Sequence, residues 1–489
     1  MAQAELTTEQ RAAIDSVNTG LFIDGDWVTT AKTFAVLDPS TGAELTQVAD
    51  ADPNEGGAAL DAAAAAQAEW AATPPRERSE MLRRAYQLLI DDTERLALIM
   101  TLEMGKPLAE ARGEVAYAAE FFRWFAEEAV RIDGGYMTAP TGGSRFLVAR
   151  QPVGPCILVT PWNFPLAMGA RKIAPAIAAG CTSVIKPAPD TPLCTLALAE
   201  VLVRAGVPKG VVNVVTTTDA GAVMEPMILD PRSRKLSFTG STPVGKKLLE
   251  LAARTVMRTS MELGGNAPFV VFDDADLDVA VDGAMAAKMR NIGQACTAAN
   301  RILVHRSVAQ EFADRLAERM GALPMGRGVD EGVVVGPLVN QAAVDKVSGL
   351  VADAVSRGAE VRLGGEAPSG PGYFYPATVL TGVSAEADLA GTEIFGPVAA
   401  LTEFDTEEEA VALANDTPFG LVSYIFTQDL NRGLRVSEAL EAGMVGLNQG
   451  VVSNPAAPFG GIKESGLGRE GGLTGINEFL EEKYIGIQM

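Results

Sequence analysis

The sequence predicts an α/β protein: two doubly wound parallel-sheet units in series, with a small β extension. Three observations carry that expectation. From Pro155 onward, short apolar runs alternate with helix-patterned segments, the β-α-β-α rhythm of a parallel sheet covered on both faces. A second series of the same kind starts at Ala267. Just before the first series, residues 136–149 read instead as a hairpin, which sits badly inside a parallel sheet.

The elements follow in chain order. A short strand-like stretch covers 21–28, and two long amphipathic helices are expected over 54–71 and 76–104. The second of these carries Met81, Leu82, Tyr86, Leu89, Ile90, Leu96, Leu98 and Ile99, close to a 3.6-residue period. In the first series strands are expected at 156–160, 183–186, 211–215 and 235–238, with helices at 166–179, 192–205 and 219–229. The second series has strands at 267–272 and near 301–305 and 398–403. The hairpin turns at Thr141-Gly142-Gly143-Ser144, and 482–488 is also strand-like. These stretches are either projecting strands that pair with another subunit or surface arms of a monomer. The liability of unpaired edges favours the first.

Bulk properties exclude several classes. The 489 residues suffice for two or three domains and a large core without disulfides. A formal net charge of −22 argues against nucleic acid or an anionic membrane as partner. Cys156, Cys181, Cys194 and Cys296 form no CxxC pair and lack partner histidines, so neither a disulfide framework nor a metal site is expected. That usage fits a reducing cytoplasm. The opening MAQAELTTEQ has no basic region followed by an apolar run, and no 18-residue stretch is continuously apolar. Together these predict a soluble cytoplasmic chain.

The single histidine, His305, ends a strand-like run and reads as a surface or strand-end residue. One imidazole leaves little room for Ser-His or Cys-His hydrolytic machinery. Three of the cysteines lie in apolar strand or helix contexts, where a free thiol is usually a small hydrophobe. Cys296 lies in the polar, Gly-containing run Arg290-Asn291-Ile292-Gly293-Gln294-Ala295-Cys296-Thr297. A helix N-terminus after it would lower its pKa, but local context leaves a reactive and a structural thiol equally open. Glu262 sits in Met261-Glu262-Leu263-Gly264-Gly265-Asn266, where glycines let a backbone approach a ligand, although a lone loop carboxylate is commonly just solvated. Asn163, between Trp162 and Phe164 and flanked by prolines, either needs a specific partner for its amide or bonds its own loop.

Phe238-Thr239-Gly240-Ser241-Thr242-Pro243-Val244-Gly245 follows a strand and opens a helix, a geometry that presents free N–H groups to an anion. The literal GxGxxG at 466–471 follows no strand and has no acidic residue twenty positions on, so it is rejected as a dinucleotide fingerprint.

Taken together, Thr160-Pro161-Trp162-Asn163-Phe164-Pro165, Lys186-Pro187, Phe238-Thr239-Gly240-Ser241, Glu262-Leu263-Gly264-Gly265, Gly293-Gln294-Ala295-Cys296 and Glu393-Ile394-Phe395-Gly396-Pro397 resemble, in order, motifs of the aldehyde dehydrogenase superfamily. The resemblance runs over almost the whole chain. It implies that Cys296 attacks the aldehyde carbon and that Asn163 and the Cys296 N–H stabilise the oxyanion. After hydride transfer to nicotinamide, Glu262 activates the water that hydrolyses the thioester. It further implies that Lys186 holds the adenosine ribose, Ser241 the pyrophosphate, and Glu393 with Phe395 the nicotinamide ribose. Thr160, Pro161, Trp162, Ala188, Pro189, Phe238, Gly240 and Leu263 fall in the same motifs and are expected along the nucleotide site. The implied plan is a cofactor-binding domain at 1–135 and 150–262 and a catalytic domain at 263–454. Oligomerisation strands at 136–149 and 480–489 and a return segment at 455–479 complete a homodimer or homotetramer.

Within the superfamily the wording of 261–278 and 457–471 is most similar to the succinate-semialdehyde dehydrogenase subfamily. Arg171 and Arg290 lie eight residues after Asn163 and six before Cys296, and two guanidinium groups converging there would bind the carboxylate of a short ω-oxo acid. Each alone is equally an ordinary ion pair. Ser453 matches a residue that completes this anion site in the subfamily, and Phe459 would wall the pocket. Two departures matter. Ala298 stands where the subfamily often has a second cysteine, so no local disulfide switch is expected. Pro189 stands where a glutamate would bind the 2′-OH of NAD and repel a 2′-phosphate, which predicts NADP preferred and NAD possible, unless Asp190 points inward. One methylene is a small energy in a pocket, so another ω-semialdehyde such as glutarate semialdehyde stays open. A cysteine hydrolase or acyltransferase without nucleotide is disfavoured by the Lys186, Ser241 and Glu393 motifs, and intact Cys296, Glu262 and Asn163 disfavour a non-catalytic relative.

Overall fold

A computed structural model describes residues 6–489. Eight strands form the first sheet, in the order Asp26–Val28, Leu21–Ile23, Val212–Val214, Ser183–Lys186, Cys156–Val159, Lys235–Thr239, Arg258–Glu262 and Gly466–Leu467. The five central strands are parallel, and the edge strands are antiparallel. From Cys156–Val159 the chain winds outward one way, then returns to start the other half beside it at Lys235–Thr239. The carboxyl ends of these two strands therefore form a topological switch point, the usual crevice for a ligand in an open α/β sheet.

Seven strands form the second sheet, in the order Glu360–Leu363, Thr378–Thr381, Val398–Phe404, Ala299–His305, Ala267–Val271, Val422–Phe426 and Met444–Leu447. All pairs are parallel except the outermost, Glu360–Leu363 with Thr378–Thr381. Only residues 263–266 separate the end of Arg258–Glu262 from the start of Ala267–Val271. The carboxyl edge of the first sheet thus faces the amino edge of the second, and the loops between them build the site.

The α/β plan with two sheet units agrees with the sequence reading; one expectation is corrected, and two features are added. The helix expected over 76–104 is two helices, Pro75–Asp91 and Thr93–Met104. Asp92 leaves helical geometry at φ −104°, ψ 16°, and its carboxylate binds Arg95 at 2.6 Å. Asp92 makes no side-chain bond to the following helix, whereas Thr93 Oγ1 donates back to the Ile90 carbonyl at 2.7 Å, a local bond that competes with a continuous helix. Next, a helix over Leu108–Glu128, which had no sequence assignment, buries Phe121, Phe122 and Phe125 against the first unit. Finally, the hairpin and the C-terminal strand pair with each other: Ser144–Pro152 lies between Gly135–Thr138 and Leu480–Gln488, from Leu480↔Pro152 to Gln488↔Ser144. Tyr136, Met137, Tyr484, Ile485 and Met489 remain exposed on this three-stranded arm. Among the described residues no helix is long and apolar enough to cross a membrane.

Candidate active site

Where the two sheets meet lies a cavity of about 260 Å³. Its walls include Cys296, Glu262, Asn163, Arg171, Arg290, Ser453 and Phe459, and also Pro161, Trp162, Gly240, Ser241, Leu263, Glu393 and Phe395. Thr160, Lys186, Ala188, Pro189 and Phe238 do not line it. Phe238 is buried under Gly240, and Pro189 lines a separate hollow of about 220 Å³ with Asp190, Asn340 and Tyr373. Asp190 Oδ1 there accepts from the Asn340 amide at 3.2 Å.

Cys296 is half-buried and unbonded to any other cysteine, as are the three fully buried thiols. The helix that might have followed it is absent: the next element is the strand Ala299–His305. Burial pushes the thiol up to about 12, helped by Glu393 and Glu262 and opposed by Arg171 and Arg290. The approach to Cys296 is a tight turn, Arg290–Gly293, in which Asn291 and Ile292 have φ of 52° and 60°. Left-handed backbone at a β-branched residue is strained, commonly by about 1–3 kcal/mol, and such strain clusters at functional sites. Behind the thiol, a Cβ at Gly265 would come within 2.5 Å of the Cys296 carbonyl oxygen, so only glycine allows the Glu262 loop to pack there.

Glu262 ends the strand Arg258–Glu262, is 2% exposed, and has both carboxyl oxygens buried without a hydrogen-bond partner. Burial, then the charge of Glu470, raises its pKa well above the carboxylate range, against Arg171, Lys172 and Arg469. Glu470 is the opposite case. Burial raises it too, but Arg171 and Lys172 outweigh that and hold it ionised. It pairs with Arg171 and, at 2.6 Å, with Lys172. Two neighbouring buried carboxyls thus divide into one charged and one neutral.

Arg171 is 2% exposed, lies 4.2 Å from the Phe459 ring, and keeps Nη2 buried without a hydrogen-bond partner. Arg290 lies over Phe164 at 4.9 Å and donates to Ser453 Oγ at 3.4 Å. The Asn163 side-chain amide donates to the Gln294 carbonyl at 3.0 Å.

The nucleotide-motif residues suit an anionic, hydroxyl-bearing ligand. Ser241 is the N-cap of Thr242–Ala253 yet makes no side-chain cap bond, so the first-turn N–H groups are open. Thr160 Oγ1 and Thr239 Oγ1 are buried without partners. Burial lowers Lys186 to about 8, with Asp190 the opposing charge. Glu393, accepting from the Gly265 N–H at 3.0 Å, is pushed up to about 7 by burial. Gly466–Leu467 is an antiparallel edge strand, so the rejected GxGxxG is a sheet edge. His305 ends its strand and caps the next helix through Ser307 N.

The sequence does not single out Tyr117 and Lys346, which come from elements remote from the motifs, or Glu470, which lies in the GxGxxG run and the 457–471 stretch but is given no role there. An acidic residue in an apolar, glycine-rich segment was the available signal.

The comparisons with known proteins agree with this geometry. A relative from Paenarthrobacter nicotinovorans, named "Succinate-semialdehyde dehydrogenase", is 59% identical over 91% of this chain and 98% of its own length. One from Escherichia coli (strain K12), named succinate-semialdehyde dehydrogenase [NADP(+)], is 49% identical over 95% of this chain and 96% of its own. A crystal structure of succinate-semialdehyde dehydrogenase from Burkholderia pseudomallei superposes with a TM-score of 0.96 at 49% identity, covering 97% of this chain and 98% of that one. The model described as "Aldehyde dehydrogenase family" matches residues 27–485, a span that contains all the parallel strands of both sheets and every residue of the cavity: the chain belongs to the aldehyde dehydrogenase family.

Proposed function

We propose that this chain oxidises succinate semialdehyde to succinate, with NADP as the preferred nucleotide and NAD as a possible one. The observation that carries the reading is that Arg171 and Arg290 share one cavity with Cys296 and Glu262. A short chain with an aldehyde at one end and a carboxylate at the other fits those two chemistries at once. Relatives named succinate-semialdehyde dehydrogenase, one of them 59% identical, support the same substrate, while relatives named glutarate-semialdehyde dehydrogenase at 48–49% identity fit the longer alternative.

Cys296, its thiol proton released to solvent, attacks the aldehyde carbon through Sγ, and the Asn163 amide with the Cys296 N–H receives the oxyanion, a donor being worth about 3 kcal/mol in such sites. Lys186, Ser241, Glu393 and Phe395 would hold a nicotinamide nucleotide, which when bound would supply the hydride acceptor. Glu262 then takes a proton from the attacking water. Its raised pKa means that it must first lose its own proton, so thioester hydrolysis rises with pH. Arg290 and Ser453 fix the carboxylate tail with Arg171, while Phe459 closes the wall.

For the nucleotide, no carboxylate stands at position 189, and Asp190 is engaged by Asn340. Both features favour acceptance of a 2′-phosphate near Lys186. In this reading 1–135 with 150–262 holds the nucleotide, 263–454 carries the nucleophile, and 455–479 returns to the first sheet. The exposed apolar arm from 136–149 and 480–489 joins copies into a dimer or tetramer. Four free thiols fit a reducing compartment such as the cytoplasm.

A panel of semialdehydes of different chain length, assayed with both nucleotides, tests the proposal. Succinate semialdehyde should give the highest kcat/KM, and NADP should be preferred. A higher kcat/KM for glutarate semialdehyde would move the substrate assignment. A tenfold preference for NAD, about 1.4 kcal/mol, would overturn the nucleotide assignment.

A further inference from the structure

Asn163 lies in the loop between Cys156–Val159 and the helix Pro165–Ala179. Its backbone carbonyl receives two hydrogen bonds, from the Lys106 ammonium at 2.9 Å and the Asn291 amide at 2.8 Å. Neither donor belongs to that loop. Lys106 follows the helix Thr93–Met104 and is fully buried in an ion pair with Glu114. The Glu114 carboxylate reaches the other side of Asn163, where it accepts from Leu166 N and Ala167 N at 3.0 and 3.1 Å. These are first-turn N–H groups of a helix whose N-cap, Phe164, offers no side-chain bond. The ion pair therefore grips Asn163 from both sides: the ammonium on its carbonyl, the carboxylate on the helix start beyond it.

Asn291 makes a second tie, from the nucleophile's own turn. Its amide nitrogen also donates to the Gln294 carbonyl at 2.9 Å, the same oxygen that accepts from the Asn163 side chain at 3.0 Å. The Asn291 N–H donates to Glu110 at 2.6 Å, which anchors the turn on the helix Leu108–Glu128. The left-handed backbone at Asn291 is thus held by three hydrogen bonds, two of which converge on the Asn163 loop and the residues just before Cys296.

We propose that Lys106 and Asn291 are positioning residues for the oxyanion: they fix the Asn163 amide relative to Cys296 and so set the rate of the chemical step. Neither lines the cavity, and neither exchanges a proton with substrate. The proposal rests on Asn163 acting as an oxyanion donor. Near-attack geometry is sensitive enough that a shift of about 1 Å costs roughly 10²-fold in rate.

A purely structural buried cluster would also lower activity when cut, so the test is a double-mutant cycle. Asn291→Gly removes the amide but keeps a residue that adopts φ 52° freely, which makes it the clean variant. We expect kcat to fall roughly 10–100-fold, with the KM for nucleotide within about twofold of wild type. In an Asn163→Ala background the same change should cost less than about threefold, because the amide it positions is gone. Lys106→Met combined with Glu114→Gln avoids an unpaired buried carboxylate and should follow the same pattern. Wild-type kcat in Asn291→Gly, or full additivity with Asn163→Ala, would overturn the positioning role. Wild-type kcat in Asn163→Ala would instead overturn the oxyanion reading, and the proposal with it.

Discussion

Two pairs of residues in the cavity use burial in opposite ways. The Cys296 thiol and the Glu262 carboxyl have no cation bonded to them, and burial keeps both neutral. Beside them two guanidinium groups keep their charge at any working pH. Arg171 is balanced by Glu470 and faces Phe459, and Arg290 rests on Phe164 and Ser453. The difference lies in partners rather than depth, since Arg171 and Glu262 are both 2% exposed. The cavity is built to receive an anion at the arginines and to create one at the thiol only as the reaction proceeds.

The largest effects should come from the neutral pair. Cys296→Ala should lower kcat by about 10⁴-fold or more, as loss of a nucleophile does elsewhere, while leaving nucleotide binding measurable by fluorescence quenching. Residual turnover above one per cent would break the assignment. Glu262→Gln should reduce steady-state turnover by roughly 10²–10⁴-fold but leave a rapid burst of reduced nucleotide, seen by stopped-flow absorbance. Loss of the burst along with turnover would place Glu262 before the thioester instead. In the wild type the post-burst rate should climb with pH, because a carboxyl with a raised pKa becomes a base only as it ionises. Lys186→Met should raise the KM for NADP by roughly tenfold, about 1.4 kcal/mol, a larger rise than in the KM for NAD. An equal loss on both would remove Lys186 from 2′-phosphate recognition.

A smaller test isolates burial from chemistry. Glu103 is buried with no salt-bridge partner among the described residues, accepts from Leu193 N and Cys194 N, and is raised to about 7, chiefly by burial. A folded pKa above the unfolded one stabilises fully below pH 4.5 and loses that contribution as pH rises through 7. The rise corresponds to roughly 3 kcal/mol. Glu103→Gln should therefore gain in Tm relative to wild type between pH 5 and pH 8.5. A pH-independent Tm difference would contradict the direction of that shift.

Much of this was legible in the sequence, and the gaps have physical causes. The strand-helix alternation placed both sheets because period and punctuation are local. Asn163, Glu262 and Cys296 stand in short motifs whose residue types suit their chemistry, and the cavity collects all three. The break at Asp92 goes with the Thr93 hydroxyl bonding the Ile90 carbonyl, a local competition that a hydrophobic period does not register. A strand follows Cys296 where a helix N-terminus would have lowered the thiol, and burial raises it instead. Lys106, Glu114 and Glu470 reach the site from elements far along the chain, and only tertiary packing brings their charges together.

The most direct test of the central claim is substrate selectivity in Arg290→Met. The ratio of kcat/KM for succinate semialdehyde to that for butanal should be compared in variant and wild type. A charge-assisted contact is worth about 1.5–3 kcal/mol, so the ratio should fall roughly 10–100-fold, almost wholly through KM for the charged substrate. Arg171→Met should act in the same direction, with an added stability cost because the buried Glu470 keeps only one of its two cations, Lys172. Equal losses on both aldehydes, leaving the ratio unchanged, would contradict an anion-binding pair in this cavity.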